Sequence, residues 1–308
     1  MIVWNSLPHP PPAGHHAVAF GNFDGVHLGH RHLLATLRSH ADRLGGLAIA
    51  VTLDPHPLAL LRPERAPQAV DSLRGRLHDL AQAGVDAVLV LRFDASLAAQ
   101  TAQWFAQTVL FDGLAAGAVV AGHDTRFGHG GLGDAQLLVA LAEPRGIVVQ
   151  TCEPVLWQGE VVSSSRVRRA VAAGDVAAAV HMLGRPWALD GAVVHGDHRG
   201  RTISFATANI AAPGQVLPGH GVYAGWLQRG GLPPLQAVAN SGTRPTFDGQ
   251  RVQVEAHCLD FAGDLYGQQV RLELVQRLRG EQKFDGIAAL QAQIAADVAA
   301  ARVILAQC

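Results

Sequence analysis

The sequence predicts an α/β unit with a doubly wound parallel sheet, followed by a small antiparallel β-barrel with a C-terminal helix. In the first half, continuous apolar runs alternate with helical patterns, as in strands covered on both faces by crossover helices. In the second half, short strand-like runs are punctuated by Gly, Pro and Asp, which is typical of a small barrel. The character of the sequence changes near Arg185, so the predicted units are 1–184 and 185–308.

Individual elements follow from these two patterns. The strands predicted for the first unit are His16–Phe20, Leu47–Leu53, Asp86–Phe93, Gly117–Gly122 and Ile147–Val155. The helices predicted for it are Gly29–Leu44, Asp71–Ala83, Ser96–Leu110, Asp134–Leu141 and Ser165–Leu183. The strands predicted for the barrel are Ala188–His195, Gly221–Gln228, Leu235–Ala239, Arg251–Phe261 and Gln269–Leu278. An Ala-rich amphipathic helix, Gly286–Leu305, ends the chain.

Composition narrows the function classes. A net charge of -1 over 308 residues provides no long-range field for nucleic acid, so any phosphate-bearing ligand needs a local site. Cys152, Cys258 and Cys308 show no paired spacing and are interpreted as reduced thiols of a cytoplasmic protein. Neither a signal peptide nor a membrane span is predicted. The oligomeric state stays open.

The run from Gly21 to His30 follows the first predicted strand and opens the first helix. Free backbone N–H groups and the helix dipole favour an anion at such a turn. Gly21, Gly25 and Gly29 allow a tight turn and close approach of a phosphate. His27 and His30 are three apart, so both can face the same phosphates, and as imidazolium donors they would stabilise a leaving pyrophosphate. The alternative is a helix cap with two surface histidines.

A second candidate phosphate element begins the last helix of the first unit. Hydroxyls of Ser163 and Ser164 at an N-cap, with the guanidinium groups of Arg166 and Arg168, could clamp the β and γ phosphates. An ordinary N-cap with solvated arginines is the alternative.

Two further segments, 54–57 and 122–128, follow the second and fourth predicted strands, where ligands sit in such sheets. Turn chemistry alone could also explain them.

These motifs resemble the adenylyltransferase module of prokaryotic bifunctional riboflavin kinase/FAD synthetase, a nucleotidyltransferase domain. The resemblance rests on Gly-Asn-Phe-Asp-Gly-Val-His-x-Gly-His, Asp-Pro-His-Pro, the Gly122–Gly128 run and the Ser-Ser-Ser-x-Val-Arg run; Leu53, Thr125 and Ser165 depart from the family pattern. It implies that the residues contacting nucleotide or metal are Asn22, His27, His30, Asp124, Ser164 and Arg168. It implies that Phe23 and Asp24 shape the nucleotide pocket, and that flavin lies near His56, Pro57 and Phe127.

The second half resembles the riboflavin kinase barrel of the same family. Gly196 and Gly200 lie in a glycine-flanked loop of the kind that can fold over phosphates. The family's Gly-Phe-Pro-Thr-Ala-Asn run is Ser-Phe-Ala-Thr-Ala-Asn here, which keeps Thr207 and Asn209, the residues that handle Mg²⁺ and ATP phosphates in the family. The family's Gly and Pro are replaced by Ser204 and Ala206.

Two later barrel positions complete the resemblance. It places Tyr223 on a strand lining the flavin site and assigns Glu255 as the general base on the riboflavin 5′-hydroxyl. A plain outward-facing strand residue is the alternative for Glu255.

The resemblance implies an ATP- and Mg²⁺-dependent enzyme that phosphorylates riboflavin to FMN and adenylylates FMN to FAD. Its expected partners are these small molecules, with no nucleic acid and no membrane. One alternative is FAD synthesis alone, with an impaired barrel kept as a flavin-binding or assembly module. Others are a non-catalytic flavin-binding regulatory protein, or a nucleotidyltransferase with another acceptor.

Overall fold

The structure is a computed structural model that describes residues 1–195, 207–246 and 249–307. The chain forms two compact units. The first comprises residues 1–67 and 76–163, and the second comprises residues 68–75 and 164–308. The second unit therefore includes the segment just before the barrel as well as eight residues from far upstream. The boundary predicted between residues 184 and 185, where the composition changes, stays a prediction.

The first unit is built on a six-stranded parallel sheet. Its strands are β1 (Ile2–Trp4), β2 (His16–Phe20), β3 (Ala48–Asp54), β4 (Ala87–Arg92), β5 (Ala116–Gly122) and β6 (Val148–Cys152). The order in the sheet is β1-β4-β3-β2-β5-β6. After β2 the chain adds strands in one direction, and from β5 onward it adds them in the other. The doubly wound sheet is confirmed, and its topological switch point lies between β2 and β5, where such sheets bind ligands.

Helices cover both faces of this sheet, since every residue of β2 is buried. They are α1 (Leu28–Leu44), α2 (Pro57–Leu61), α3 (Leu73–Gln82), α4 (Ala95–Ala98), α5 (Ala102–Trp104), a π-helix (Phe105–Gly113) and α6 (Ala135–Ala142). Short 3₁₀ turns span Pro63–Arg65, His129–Gly131 and Glu143–Arg145, and a small hairpin pairs β7 (Leu156–Trp157) with β8 (Glu160–Val161). Aromatic and aliphatic side chains of the π-helix pack on the sheet in one core.

Two helix predictions were wrong in their continuity. The segment predicted as Ser96–Leu110 is divided because the Thr101 side chain accepts from the Trp104 backbone N–H and starts a new helix. The segment predicted as Ser165–Leu183 is two helices, α7 (Ser164–Ala172) and α8 (Val176–Leu183). Gly174, at φ 77°, ends the first of these, and Asp175 caps the second. A glycine and two side-chain N-caps interrupted helices that the apolar periodicity alone would have continued.

The second unit contains a closed six-stranded antiparallel barrel, which confirms the predicted class. Its strands are β9 (Trp187–Val194), β10 (Ala208–Ala211), β11 (Gly221–Arg229), β12 (Leu232–Thr246), β13 (Gly249–Cys258) and β14 (Gln269–Arg279). They close in the order β10-β13-β12-β11-β14-β9. Residues alternate between the inside and the outside of the barrel wall, as the period of two requires.

The C-terminal helix α9 (Ile287–Leu305) packs on the outside of the barrel. Ala301 and Leu305 join Val222 and Val238 in one apolar cluster. The buried carboxylate of Asp297 accepts hydrogen bonds from the guanidinium of Arg279 at 2.9–3.1 Å. By length and composition alone this helix could cross a membrane, its mean hydropathy being 1.4. In the structure, its ion pair with a barrel strand and its apolar contacts pack it against the barrel.

Residues 68–75 belong to the second unit through buried polar contacts. The Asp71 carboxylate, fully buried, pairs with Arg185 at 3.1 Å. The Trp187 indole N–H donates to the Val70 carbonyl at 3.2 Å, and the hydroxyl of Ser72 donates to the Asp190 carboxylate. An upstream segment therefore completes the hydrogen bonding around β9.

Candidate active site

The turn between β2 and α1 has an unusual backbone. Phe23 and Val26 have φ values of 48° and 39°, in the left-handed region, with Gly25 between them at 85°. Non-glycine residues rarely adopt this conformation, and such residues cluster at functional sites. The turn is anchored where the Gly21 N–H donates to the Val51 carbonyl at 3.0 Å.

His27 and His30 come together where α1 begins, as predicted. His27 is the N-cap, and its Nδ1 accepts from the His30 backbone N–H at 3.4 Å. The two imidazole rings stack with centroids 3.7 Å apart and an interplanar angle of 16°, and the ring of Phe23 meets His30 edge-on at 5.3 Å. Because Nδ1 accepts a hydrogen bond, a neutral His27 carries its proton on Nε2, where it can donate to a ligand.

Burial sets the protonation of this pair. Loss of hydration lowers the pKa of His27 to about 4, against the opposing effects of the Asp24 and Asp124 carboxylates. Burial also places the pKa of His30 well below its usual value, with smaller contributions from His27 and Arg76. Both low pKa values favour neutral rings at pH 7, while the predicted role of the pair as imidazolium donors to a bound phosphate stays a prediction. Bound phosphate charges would raise both pKa values.

The space and backbone conformation at the three glycines of the turn differ. Gly25 has a φ that favours glycine, and a Cβ on Gly29 would lie 3.1–3.2 Å from the imidazole ring of His27. A Cβ on Gly21 would make only ordinary contact with the Phe23 ring, at 3.7 Å. Gly25 therefore has a backbone conformation that favours glycine, and a side chain at position 29 would crowd the His27 ring, whereas the contact at Gly21 would be ordinary.

The sheet topology explains why residues distant in sequence meet here. Asp124 follows β5, which is the neighbour of β2 across the switch point, and its side chain is largely exposed. Asp24 lies in the turn after β2 and is buried. Both carboxylates act on the pKa of His27, so the structure places negative groups as well as imidazoles around the predicted phosphate turn.

Asn22 and His56 join the ends of β2 and β3. The Asn22 Nδ2 and His56 Nε2 atoms are 3.3 Å apart, and Nδ1 of His56 accepts from the Leu58 backbone N–H at 3.1 Å. His56 thereby caps α2, which has Pro57 at its start. His56 therefore contacts both Asn22 and the first turn of α2, and its predicted contact with flavin stays a prediction.

A cavity of about 680 Å³ opens beside the turn, within the range of small-molecule sites. Gly21, Asn22, Pro57 and Phe127 line it, so the structure brings four predicted site residues to one cavity. The Phe127 ring packs edge-on against Phe20, with centroids 5.3 Å apart. Most other lining residues are apolar, including Leu53, Leu60, Leu61, Phe93, Leu97 and Phe105, while Arg126 lines it as the one arginine among the described lining residues. A flat aromatic ligand suits such a cavity.

The second predicted phosphate element begins at α7. Ser163 is the last residue of the first unit, and Ser164 opens α7 in the second. The Arg168 guanidinium donates to the Ser165 hydroxyl at 3.3 Å, and Val167 and Val171 are the buried residues of the helix. The predicted clamp by Ser163, Ser164, Arg166 and Arg168 stays a prediction.

The outer face of the barrel brings together Asn209 and Glu255. The residues are directly opposite on β10 and β13, and Asn240 of β12 is opposite Glu255 on the other side. The Oδ1 of Asn209, which is 5% exposed, accepts from Gln253 at 2.5 Å. Glu255 is thus an outward-facing strand residue, but a half-buried one held between two asparagines.

The remaining barrel predictions are placed differently. Thr207 lines a small cavity of about 70 Å³ with Cys258 and Tyr266. Tyr223 is fully buried inside the barrel, on the other side of the wall from Glu255, and its hydroxyl donates to the Gly219 carbonyl. Gly196 and Gly200 lie outside the described residues.

Comparison with known proteins decides the family. A family model described as FAD synthetase matches residues 10–166, and one described as riboflavin kinase matches residues 183–305. A relative from Escherichia coli K12, named bifunctional riboflavin kinase/FMN adenylyltransferase, is 42% identical over 285 residues, covering 92% of this chain and 91% of the relative. The chain belongs to the bifunctional riboflavin kinase/FAD synthetase family.

The family membership confirms the resemblance drawn from the motifs, and a second relative carries the same name. A protein of the same name from Bacillus subtilis is 33% identical, over 91% of this chain and 89% of its own length. A solved structure titled macrolide-efflux protein from Streptococcus pneumoniae superposes with a TM-score of 0.86 and 30% identity, covering 98% of both chains.

The motifs of this family did not indicate every residue of the site. Thr52 and Arg76 are buried beside the phosphate turn, and Leu60 and Leu61 form part of the cavity wall. Arg76 did leave a signal in the sequence, because it shares the buried face of α3 with Leu80, one turn later. Cavity walls contributed by short helices leave no comparable pattern.

Proposed function

We propose that this chain is a cytoplasmic enzyme that makes FMN from riboflavin in its barrel and FAD from FMN in its α/β unit, using ATP in both steps. The observation that carries the proposal is the stacked histidine pair at the start of α1, beside a 680 Å³ apolar cavity at the switch point of the sheet. Free N–H donors suit a nucleotide phosphate, and apolar walls suit a flavin ring.

In the α/β unit, an oxygen of the FMN phosphate attacks the α-phosphorus of ATP. The bond from that phosphorus to the bridging oxygen breaks, and pyrophosphate leaves. His27 and His30 contact the phosphates as neutral N–H donors. Their pKa values rise as negative charge develops on the leaving group. Gly25 and Gly29 keep the turn open for that approach. Pro57 and Phe127 hold the flavin.

In the barrel, the riboflavin 5′-hydroxyl attacks the γ-phosphorus of ATP, and Glu255 accepts the hydroxyl proton. The hydroxyl of Thr207 and the amide oxygen of Asn209 are hard donors of the kind that Mg²⁺ prefers, and Mg²⁺ usually keeps phosphate and water oxygens as its other ligands. This donor set fits Mg²⁺, which would neutralise charge on the transferred phosphate. The close register of Asn209 and Glu255 supports the pairing of metal site and base.

One assay separates the two activities. Purified protein is incubated with Mg²⁺ and ATP plus either riboflavin or FMN, and the flavins are resolved by chromatography. We expect FMN and FAD from the first mixture and FAD from the second. FAD from FMN without any FMN from riboflavin would leave only the adenylyltransferase. No product in either mixture would refute the proposal.

Matched variants assign each activity to its unit. His27→Ala should abolish FAD formation and spare FMN formation, with the exposed His32 of the same helix as control. Glu255→Gln should abolish FMN formation and spare FAD formation from FMN, with Glu273→Gln as control on the outer face of β14. Equal loss of both activities in either variant would contradict two separate sites.

A further inference from the structure

Arg76 carries a buried charge that the family motifs leave unassigned. Its side chain projects from α3, and the residue is 6% exposed. Its Nη1 donates to the Thr52 hydroxyl and to the Leu53 carbonyl, both at 3.1 Å, and its Nε is buried without a hydrogen bond. Within the described part of the chain, no carboxylate pairs with this guanidinium. Burying a charge without a counter-charge is costly, so it is kept where the charge has a use.

The partners of Arg76 connect it to the phosphate turn. The Thr52 hydroxyl, fully buried at the end of β3, donates to the Asn22 carbonyl at 3.1 Å. A guanidinium can only donate, so the hydroxyl must accept from Arg76 and its own hydrogen is directed at Asn22. Hydrogen bonds in such a chain strengthen one another. Arg76 therefore fixes the backbone of the turn through one hydroxyl group.

The charge of Arg76 also reaches the histidine pair. It is one of the groups that depress the pKa of His30, the other being His27, while Asp24 and Asp124 act on His27 in the opposite direction. A positive charge in a poorly hydrated setting is felt more strongly than one in water. An anion entering this turn would supply the counter-charge that the described residues do not.

We infer that Arg76 is a positioning residue for adenylyl transfer: it holds the turn at Asn22 through Thr52 and provides a fixed positive charge behind the site of the ATP phosphates. This inference rests on the proposed function of the α/β unit. Thr52 and Arg76 would act by holding the turn at Asn22 in place and would not contact the reacting atoms.

The hydrogen bonds from Arg76 to the Thr52 hydroxyl and from that hydroxyl to the Asn22 carbonyl form a relay. Steady-state FAD formation from FMN and ATP tests this relay. Thr52→Val keeps the shape but removes the hydroxyl, and should lower kcat about tenfold with a smaller change in KM for ATP. Thr52→Ser keeps the hydroxyl and should restore kcat to within about twofold of the wild type. Arg76→Gln removes relay and charge together and should also raise KM for ATP by about tenfold. Arg38→Gln is the control, because Arg38 is ion-paired with Asp42 in the same unit.

Unchanged kcat in Thr52→Val, or equal losses in the Val and Ser variants, would overturn the relay. If Arg76→Gln does not fold, as judged by circular dichroism, the two Thr52 variants decide the question. Calorimetric titration with inorganic pyrophosphate separates this inference from the proposed function. If wild-type protein makes no FAD, the proposed function fails, and about tenfold weaker pyrophosphate binding by Arg76→Gln still supports the charge role. Equal binding by both proteins overturns it.

Discussion

Burial of His27 should make the first unit lose stability in mild acid. Its pKa is about 4 in the folded protein against an ordinary 6.5. Between these values the unfolded chain binds a proton that the folded chain does not, so the free energy of unfolding falls as the pH falls. The contribution is complete above pH 6.5 and is lost as the pH drops toward 4.

The size of the effect follows from the two pKa values. A difference of about 2.5 between them corresponds to about 3 kcal/mol in all, of which about 2 kcal/mol is lost between pH 7 and pH 5. His27→Gln has no proton to bind in this range. Its free energy of unfolding should therefore fall by about 2 kcal/mol less than that of the wild type between these two pH values.

Urea unfolding of the wild type, His27→Gln and His32→Gln at pH 7 and pH 5 measures this difference. His32 is exposed on the same helix, loses little hydration on folding, and should leave the pH dependence unchanged. If His27→Gln shows the same pH dependence as the wild type, the buried neutral imidazole is not the source. The explanation of the histidine pair would then be wrong.

Three other substitutions test separate parts of the structure. Gly29→Ala should reduce FAD formation about tenfold and spare FMN formation, because its Cβ would press on the His27 ring; flavin chromatography measures both. Phe127→Ala should destabilise the first unit by about 3–5 kcal/mol in urea unfolding and weaken FMN binding, since the ring packs in the cavity wall. Asp71→Asn should destabilise the second unit by about 3 kcal/mol because it removes the buried carboxylate paired with the Arg185 guanidinium, and Arg185→Met added to it should recover part of that loss. Unchanged unfolding curves would refute the last two.

Much of the fold could be predicted from local patterns. The bounds of β2 were predicted as they are found, because five consecutive buried residues produce a continuous apolar run. The edge strand β1 was missed, since it has three half-buried or exposed residues and no run to detect. The addition of residues 68–75 to the barrel unit was also missed, because it depends on partners such as Arg185 that are far away in sequence.

The functional site could also be predicted only in part. A strand, a glycine turn and a helix start predicted the histidine pair, because every determinant lies within Gly21–His30. The lowered pKa values of that pair could not be predicted, because they depend on burial, which the sequence does not display. The Thr52 to Arg76 connection required the tertiary fold, since it joins the end of β3 to a helix 24 residues later.

The transfer of label from ATP tests the central claim most directly. Wild-type protein and His27→Ala are incubated with FMN, Mg²⁺ and ATP carrying ³²P at the α-phosphorus, and the products are separated. We predict that label from the wild type appears in FAD, with pyrophosphate released unlabelled, and that His27→Ala transfers none. Label that stays in ATP with the wild type, or reaches FAD equally with the variant, would contradict adenylyl transfer at the histidine turn.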